Sequence, residues 1–445
     1  MRPILPVLAF AALTCLPGVT VAQPTDTSQL DVVAELRRLR AELNEARAEL
    51  QQLRTDLDQL KTPEARQVPD TAPALPAIVA MLQTQVAEQA QTKVESASRL
   101  PVKIFGTIHS TVAANSGEAN WLENPNIVTA APSTPSGSFS ATMRQTRLGI
   151  RAEGLALGSW QGNGAIVFDF FGGIPAFQTG QVMGLPRLVY AFTRFERGAT
   201  AVEVGQDDMM LAPRNPTSIA ALSFPLLFRS GNLYLRVPQA RIERRLAGDE
   251  SNELRLAVGV VAPVGGDFRA PDYTFVPPAL GGERSRRPGI QARAAWRRGD
   301  DERGASLGVS GHYSRERPAG EMLTSRAGAL DFHVQGARVG IGGELFVGDN
   351  IDAFGGALGQ VSSAAGGFLE ARVRPLARWE VVLGGGTDRP RDRVALTRNN
   401  SAYGSLTFHA SPEVATAFEY RWLETSAGVV RRRNNHFNWA LTYGF

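Results

Sequence analysis

This chain of 445 residues has very little cysteine and lysine, and no long apolar run beyond its first segment. Its one cysteine is Cys15, so the rest of the chain can form no disulfide and carries no thiol chemistry. A helix needs about 20 consecutive apolar residues to cross a bilayer. Since no such run follows the N-terminus, the chain could cross a membrane only with β-strands.

Basic charge is carried almost entirely by arginine. Lysine occurs only at Lys61, Lys93 and Lys103, while 47 basic side chains outnumber 43 acidic ones and give a net charge of +4. Arginine favours planar, bidentate contacts with carboxylates and phosphates. The arginines are spread through strand-like segments instead of forming one basic cluster, and this distribution argues against nucleic acid as a partner.

Nothing in the sequence indicates an enzyme. The five histidines lie on separate segments without the spacing of metal ligands, at His109, His312, His333, His409 and His436. Ser310 and His312 are two residues apart on one predicted strand, so their side chains share a face. We interpret them as residues that form structural hydrogen bonds, and not as a Ser–His catalytic pair. No glycine-rich phosphate loop lies between a strand and a helix. We therefore expect no catalytic residue, no metal and no cofactor.

Residues 1–22 are typical of a secretory signal. A basic second residue is followed by an apolar core over residues 4–16 and by small residues up to a predicted cleavage after Ala22. Cys15 lies inside this segment. A lipid anchor at Cys15 is disfavoured, because Thr14 is a poor residue before a lipidated cysteine.

Residues 28–61 carry a heptad pattern. Apolar residues recur at steps of three and four, at Val32, Leu36, Leu39, Leu43, Ala46, Leu50, Leu53, Leu57 and Leu60. Charged and amide side chains fill the other positions, which predicts a coiled coil. A single amphipathic helix packed on a core would show a wider apolar face. Leucine dominates both seam positions, so the pattern leaves the number of helices open.

Residues 62–101 are rich in proline and alanine and are predicted to form a linker with a short helix over Ala77–Ser96. That helix could plug the strand region that follows, rest beneath it or be disordered. The sequence leaves these alternatives open.

From residue 102 onward the chain breaks into segments of about ten residues, the length that a tilted strand needs to cross a bilayer. We predict sixteen such strands: Val102–Val112, Thr142–Glu153, Gly164–Phe171, Arg187–Glu196, Thr200–Gly205, Leu233–Arg245, Glu253–Ala262, Gly289–Arg297, Ala305–Arg315, Gly328–Gln335, Arg338–Gly348, Gly367–Arg374, Trp379–Thr387, Asn399–His409, Val414–Leu423 and Asn434–Phe445.

The connections between these strands alternate in length. The short ones are Leu155–Asn163, Arg197–Ala199, Leu246–Asn252, Arg298–Gly304, Gly336–Ala337, Pro375–Arg378 and Ala410–Glu413. Most of the others are much longer and include Ala113–Ala141, Gln206–Asn232 and Pro263–Pro288. Short turns on one rim and long loops on the other are typical of outer-membrane barrels, and they place both chain ends at the short-turn, periplasmic rim.

The last predicted strand shows the alternation most clearly. One face carries Phe437, Trp439, Leu441, Tyr443 and Phe445, and the other carries small or polar residues. An arginine on a lipid face costs about 2–4 kcal/mol at the bilayer midplane, so charged side chains of such strands should face a water-filled lumen. A soluble sandwich could end in a similar strand but would not require alternating connection lengths.

The predicted fold is therefore an all-β transmembrane fold. Residues 102–445 would form an antiparallel up-and-down outer-membrane β-barrel of about 16 strands, preceded by the N-terminal α-helical coiled coil.

This layout resembles a known family. The segment KIFGTI (Lys103–Ile108) opens the first strand after the helical region, and Val204-Gly205-Gln206 precedes the third long loop. With the signal, coiled coil, linker and barrel, these motifs resemble the DcaP-like outer-membrane porins. The resemblance implies trimeric barrels that act as passive diffusion channels, with a preference for small anions such as dicarboxylates. The sucrose-porin group, which usually has an eighteen-strand barrel, is also similar in its periplasmic coiled coil.

The residues predicted to contact solute are of two kinds. Alternation directs these wall residues toward the lumen: Arg147, Arg151, Arg241, Arg255, Arg293, Arg372, Arg374, Arg421, Glu370 and Glu419. Ladders of arginine favour anions, although glutamates on the same faces could pair with them. The third long loop is expected to fold inward and narrow the pore, with these residues available to solute: Asp207, Asp208, Arg214, Asn215 and Arg229. The alternative is a loop that lies over the barrel mouth.

We therefore expect a porin of the Gram-negative outer membrane that is surrounded by lipid and lets small anionic solutes pass. It is expected to be a homotrimer, with a coiled coil that either holds the trimer together or reaches the cell wall. Two alternatives are a sugar-specific porin, which should line its pore with aromatic residues, and a non-conducting barrel that acts as an adhesin or envelope anchor.

Overall fold

The computed structural model describes residues 102–129, 137–173, 184–248, 251–266, 279–300, 303–318 and 320–445. The signal over residues 1–22, the coiled coil over 28–61 and the linker over 62–101 lie outside the described residues, so all three stay predictions. Within the described ranges, no helix is long and apolar enough to cross a membrane.

The described strands form one antiparallel β-sheet that closes on itself. From the third strand onward each strand pairs with the next along the chain, and the first strand pairs with the last. The strands are β1 (Val102–Asn115), β2 (Ser138–Thr142), β3 (Arg147–Leu157), β4 (Trp160–Asp169), β5 (Arg187–Arg197), β6 (Thr200–Asp208), β7 (Arg236–Gly248), β8 (Asn252–Val261), β9 (Gly289–Gly299), β10 (Gly304–Glu316), β11 (Leu323–Gln335), β12 (Val339–Asp349), β13 (Ser363–Leu376), β14 (Trp379–Pro390), β15 (Arg398–His409), β16 (Val414–Ala427) and β17 (Val430–Gly444). Short helices in the loops are α1 (Gly281–Arg284) and the 3₁₀ helices η1 (Asp352–Phe354) and η2 (Gly356–Gly359).

These seventeen strand segments occupy sixteen positions in the wall. Both β2 and β3 pair with β1, β2 with its C-terminal part and β3 with its N-terminal part. Residues 143–146 interrupt what is otherwise one wall strand. The predicted sixteen-stranded antiparallel barrel is therefore confirmed, and each predicted strand overlaps a strand of the structure.

The seam between β1 and β17 closes the barrel. The Gly106 N–H donates to the Phe445 carbonyl oxygen at 3.0 Å, and the Phe445 N–H donates to the Gly106 carbonyl oxygen at 3.1 Å. A Cβ on Gly106 would lie 2.6 Å from a carbon of the Phe445 ring. The terminal aromatic ring therefore lies across the seam in space that only glycine leaves open.

The connections follow the predicted asymmetry of the two rims, with one exception. The predicted strand ends imply a loop over residues 424–433 between the last two strands, but the structure has a two-residue turn at Gly428–Val429. The pairing of β16 with β17 continues through this segment up to the pair Ala427–Val430. Glu424 and Arg433 are opposite each other in this ladder, and their side chains form an ion pair of 2.8 Å. Beyond the hydrocarbon layer both faces of a strand meet water, so a strand can continue after its apolar alternation has ended.

The two faces of the wall differ as the alternation predicts. On β8, the outward residues Leu254, Leu256, Val258 and Val260 are exposed. Inward acidic residues such as Asp331 and Glu344 are buried, because other polar groups cover them inside the barrel. The apolar face is therefore outside and the polar face inside, the reverse of a soluble barrel.

Loops occupy part of the lumen. One apolar cluster joins Leu211 and Leu233, which lie between β6 and β7, to Phe346 on β12 and Phe354 in η1. A second cluster consists of Ala221, Leu226, Leu227, Phe368, Val382 and Tyr403. The connection between β6 and β7 contributes to both clusters, so it packs against the inner wall.

We expect Gly106→Ala to lower the free energy of unfolding by about 1–3 kcal/mol, the usual cost of an overpacked methyl group. The added Cβ would meet the Phe445 ring and would lie 2.7 Å from the Arg147 carbonyl oxygen. Gly328→Ala on β11 is the matched control, because nothing lies within 4 Å of its Cβ. Urea unfolding in lipid vesicles measures both variants, and equal losses would contradict this role of Gly106.

Candidate functional site

The connection between β6 and β7, residues 209–235, is called loop 3 because it is the third connection on the long-loop rim. The sequence placed this loop at Gln206–Asn232. In the structure Asp207 and Asp208 instead complete β6, and the loop extends to Leu235.

The first part of loop 3 is hydrogen-bonded to β9 and β10. The Gln291 side-chain oxygen accepts the backbone N–H groups of Met210 at 2.8 Å and Leu211 at 3.2 Å. The Ser310 hydroxyl oxygen accepts the N–H of Ala212 at 3.0 Å. Ser310 therefore hydrogen-bonds to the loop backbone. His312, two residues further along β10, instead has its ring nitrogen Nε2 3.0 Å from the Ser314 hydroxyl oxygen.

Three buried wall carboxylates, Glu344, Glu370 and Glu419, hold the next part of the loop. Glu344 on β12 accepts the backbone N–H of Arg214 at 3.3 Å. Glu419 on β16 accepts the hydroxyl of Ser218 at 2.7 Å. Among the described residues none of the three carboxylates forms an ion pair, so the loop supplies the donors that they need.

Glu370 on β13 has the densest of these contacts. It accepts the N–H of Thr217 at 2.7 Å and the hydroxyl of the same residue at 2.8 Å. It also accepts the Tyr403 hydroxyl of β15 at 2.6 Å. Glu370 and Glu419, two of the residues predicted to line the pore, therefore lie underneath loop 3.

The loop then reaches the wall on the other side of the seam. The His109 ring nitrogen Nε2 of β1 donates to the Ile219 carbonyl oxygen at 2.7 Å. Gln145 accepts the N–H of Ser223 at 3.0 Å and donates to Ala220 at 2.8 Å. Arg187 on β5 donates to the Ser223 carbonyl oxygen at 3.2 Å.

Loop 3 therefore contacts inward side chains all the way from β9 through β16 and β1 to β5. Of its 27 residues, Pro213 and Asn215 are the exposed ones. The loop spans the lumen and is fixed to the wall at both sides, which is the arrangement that would narrow a pore.

The wall between β5 and β9 carries a network of ion pairs. Glu243 lies 2.8 Å from Arg194, 3.0 Å from Arg241 and 3.3 Å from Arg255. Arg241 also contacts Asp207 at 2.9 Å. The predicted pore arginines Arg241 and Arg255 thus meet at Glu243, and each has a further carboxylate, Glu203 at 2.9 Å from Arg241 and Glu253 at 3.0 Å from Arg255.

Three further predicted arginines also have acidic partners. Arg293 makes a bidentate contact with Asp331, with one N–O distance of 2.9 Å. Arg374 and Arg372 share Glu380, at 2.9 and 3.9 Å. Here two cations are held by one carboxylate.

The remaining predicted wall arginines differ from one another. Arg151 is more than half exposed and lies 3.9 Å from Glu153, in an open cavity near the short-turn rim. Arg147 donates to the Leu222 carbonyl oxygen of loop 3. Arg421 is fully buried and donates to neutral oxygens only, those of Ser401, Asn124 and Ser230.

The predicted loop residues are spread over loop 3 and do not form one cluster. Asp208 accepts the Tyr190 hydroxyl at 3.0 Å and Arg236 at 3.1 Å. Arg214 and Asn215 lie near the exposed part of the loop, whereas the Arg229 guanidinium lies against the Phe228 ring at 5.5 Å.

An open cavity of about 280 Å³ lies between loop 3 and strands β6–β9. The wall contributes Arg241, Arg255 and Arg293, and the loop contributes Met209 and Pro213. Three of the predicted pore arginines therefore meet the predicted constriction loop in one space.

One cluster was missed by the sequence analysis. Arg187 lies 5.4 Å from the centres of both the Phe171 and Phe224 rings, and Arg144 lies 4.5 Å above Phe171. Trp121 packs edge-on against Phe171 and Phe224. Arg187 begins β5, and the other four residues come from four different connections, so only the folded structure brings them together.

Neither the described histidines nor the acidic residues form a metal site. Within the described ranges, no group of three or more His, Cys, Asp or Glu side chains could hold a metal ion.

No protein-family model and no curated protein matches this chain. Solved structures do match its fold. The outer membrane channel DcaP of Acinetobacter baumannii matches with a TM-score of 0.61 and 15% identity, over 78% of this chain and 99% of that chain. An anion-selective porin from Comamonas acidovorans matches with 0.51 and 13%, over 78% and 100%. OmpF of Salmonella typhi, in complex with daunomycin, matches with 0.50 and 11%, over 78% and 98%.

At these identities the likeness concerns the fold. The chain has the fold of the outer-membrane porins, and the resemblance to DcaP-like porins is confirmed at that level.

Glu370→Ala should loosen loop 3, because the Thr217 N–H and the Tyr403 hydroxyl would lose their acceptor. A buried donor without an acceptor costs about 1–3 kcal/mol. Hydrogen exchange at residues 214–220, read by mass spectrometry, should become faster. Glu413→Ala is the control, since Glu413 accepts an exposed hydrogen bond from Ser411 in a turn. Unchanged exchange in Glu370→Ala would remove this carboxylate as an anchor.

Proposed function

We propose that this protein is a porin that lets small hydrophilic solutes diffuse passively across the outer membrane and prefers anions such as dicarboxylates. The observation that carries the proposal is the sharing of wall carboxylates between arginines. Glu243 serves three arginines and Glu380 serves two. Guanidinium groups that share a carboxylate retain N–H groups, and these could donate hydrogen bonds to the carboxylate of a solute.

The position of these arginines supports anion preference. Arg255 keeps 39% of its side chain exposed, and Arg374 keeps 44%. Both lie on the inner wall of a closed barrel, where low-dielectric surroundings strengthen the field of fixed charges. An anion that passes would exchange part of its hydration for contacts with them.

We further propose that loop 3 is the constriction of the pore. It crosses the lumen, and the cavity beside it contains Arg241, Arg255 and Arg293. A solute that passes between the loop and this wall would meet Met209 and Pro213 on one side and the arginines on the other.

The proposed location is the outer membrane of a Gram-negative cell. The closed barrel with an apolar outer face supports it, as does the predicted signal over residues 1–22. The protein is proposed to be a homotrimer, whose predicted coiled coil holds the barrels together or reaches the cell wall. The similar Comamonas protein is described as an anion-selective porin, and its likeness in fold is consistent with the same selectivity here.

The two alternative functions meet specific observations. Aromatic residues do gather at Trp121, Phe171, Phe224 and Phe228, as a sugar pathway would need, but they pack mainly edge to face and Phe228 is buried. The apolar clusters of loop 3 fill part of the lumen, which a non-conducting anchor would also show. Neither observation explains why arginines share carboxylates along the inner wall.

We expect the purified protein to show a reversal potential of anion-preferring sign in a planar bilayer under a KCl gradient. In Arg372→Ala/Arg374→Ala this anion preference should weaken, because two positive side-chain charges are removed while the negative charge of Glu380 remains. Arg326→Ala is the control, since this arginine is exposed on the outer face of β11 and pairs with Asp349.

Cation preference, or none, would favour a general or sugar channel. Absence of conductance would favour the structural anchor. A drop of equal size in Arg326→Ala would mean that the measurement reports overall charge instead of the lumen.

A further inference from the structure

A group of arginines that the pore does not use lies at the long-loop rim beside β9 and β10. It consists of Arg286 and Arg287, which precede β9, and of Arg315 and Arg317 at the end of β10. These four residues are called the rim arginines. Arg286, Arg287 and Arg317 are exposed, and Arg315 is half-buried.

Contacts between two connections hold the rim arginines together. The Arg284 guanidinium donates to the Arg317 carbonyl oxygen at 3.1 Å. The Arg317 N–H in turn donates to the Gly281 carbonyl oxygen at 2.7 Å. The segment that carries Arg286 and Arg287 is therefore fixed against the end of β10.

The alternation on β10 places Arg315 on the outer face of the barrel. Leu307, Val309 and Tyr313 are exposed on that face, whereas Ser314 between them and the rim is buried on the other. Arg315 follows Tyr313 by two residues and shares its face. Its Nε lies 3.5 Å from the Tyr313 hydroxyl oxygen, so the guanidinium lies along the outside of the wall.

The depth of Arg315 corresponds to a lipid head group. Arg298 is opposite Ala305 near the short turn, and Arg315 lies ten residues further along β10. At about 3.3 Å per residue and a tilt of about 45°, this separation is roughly 23 Å across the membrane, close to an apolar band of about 25 Å. Tyr313, just inside Arg315, then lies where interfacial aromatic residues usually occur.

The rim arginines differ from most arginines of the lumen in lacking acidic partners. Arg326, on the next strand, pairs with Asp349 at 2.6 Å, but none of the rim arginines forms an ion pair with another residue that the structure describes. The exposed acidic residues of the same two connections are Glu283 and Glu321. The Glu283 carboxylate accepts the Leu280 N–H at 2.9 Å. The positive charge of the group is therefore available to an anion outside the barrel.

Arg286 has a backbone conformation that favours glycine. Its φ is 59°, in the left-handed region. Hydrogen bonds fix this turn, because the Arg286 N–H donates to the Glu283 carbonyl oxygen at 3.1 Å and the Arg287 N–H donates to the Ser285 hydroxyl at 3.2 Å. A long cationic side chain at a position where glycine would be relaxed indicates a use for that side chain.

We propose that the rim arginines bind the phosphate groups of lipid A, the phosphorylated glycolipid that anchors lipopolysaccharide in the outer leaflet. Arginine forks match phosphate oxygens in geometry and charge. Clusters of basic side chains at the edge of an apolar surface recognise anionic lipid head groups in the same way. The proposal uses the outer-membrane location and the long-loop rim, and it does not depend on whether the barrel conducts.

The wall below the rim arginines favours a lipid over free phosphate. The exposed residues there are aliphatic: Ile290 on β9, Val309 on β10 and Leu330 on β11. Acyl chains would cover this surface while the head group contacts the arginines. A free phosphate ion would meet the charges alone.

Lipid A binding by the purified protein in mild detergent, followed by native mass spectrometry, tests the site. Arg286→Gln/Arg287→Gln/Arg317→Gln should raise the Kd for lipid A at least about tenfold, the change that one lost charge-assisted hydrogen bond produces. Arg298→Gln/Arg338→Gln/Arg378→Gln is the matched control, because it removes the same charge from exposed arginines at the short-turn rim. Its Kd should change by less than about twofold, since salt screens distant charges. Equal increases in both variants, or no increase in the first, would overturn the proposal.

Arg286→Gly separates binding from folding. Glycine relaxes the backbone at this position, so the free energy of unfolding should not fall, while the Kd for lipid A should rise. In the parent protein, dephosphorylated lipid A should bind as weakly as lipid A binds to the triple rim variant, and millimolar inorganic phosphate should not displace lipid A. Equal binding of dephosphorylated lipid A would overturn phosphate recognition. Displacement by inorganic phosphate would overturn the lipid as the ligand.

Discussion

Every backbone N–H and C=O in a lipid-facing wall needs a partner, and this constraint shapes the molecule. The sheet meets it by closing β1 on β17, so no strand edge remains. The β1–β17 ladder runs from the pair Asn115–His436 to the pair Thr107–Gly444, and beyond it Gly106 and Phe445 exchange backbone hydrogen bonds. Phe445 therefore extends the seam by one further pair, and the absence of a side chain at Gly106 leaves room for its ring.

The same constraint applies inside the barrel, where it acts on loop 3. A segment without secondary structure that crosses an enclosed lumen must find partners for its own backbone. The inner wall supplies them with side chains: Gln291 and Gln145 bind backbone groups at the two sides of the lumen. Glu370 takes both donors of Thr217. These polar wall side chains complete the hydrogen bonding of the loop backbone.

The wall could be predicted from the sequence because its rule is local. Alternation such as Leu254, Leu256 and Val258 depends on neighbours two residues away, and lipid enforces it. The path of loop 3 has no such signal. Ser218 meets Glu419, a residue 201 positions later, and Ile219 meets His109, a residue 110 positions earlier. The cluster of Trp121, Phe171 and Phe224 with its two arginines comes together for the same non-local reason. Alternation could direct Glu370 inward but could not show that a loop covers it.

Direction toward the lumen is therefore not the same as access to solute. Arg421 points inward yet is fully buried among neutral oxygens, so its charge can act on an ion only at a distance. Arg293 gives both arms of its fork to Asp331 and lies flat over Gly308, where a Cβ would touch it. Arg255 gives one arm of its fork to Glu243 and the other to Glu253, yet it keeps 39% of its side chain exposed. Since hydration must be replaced by direct contact, selectivity should depend on exposed, shared arginines such as Arg255 and Arg374 more than on the total number of arginines in the wall.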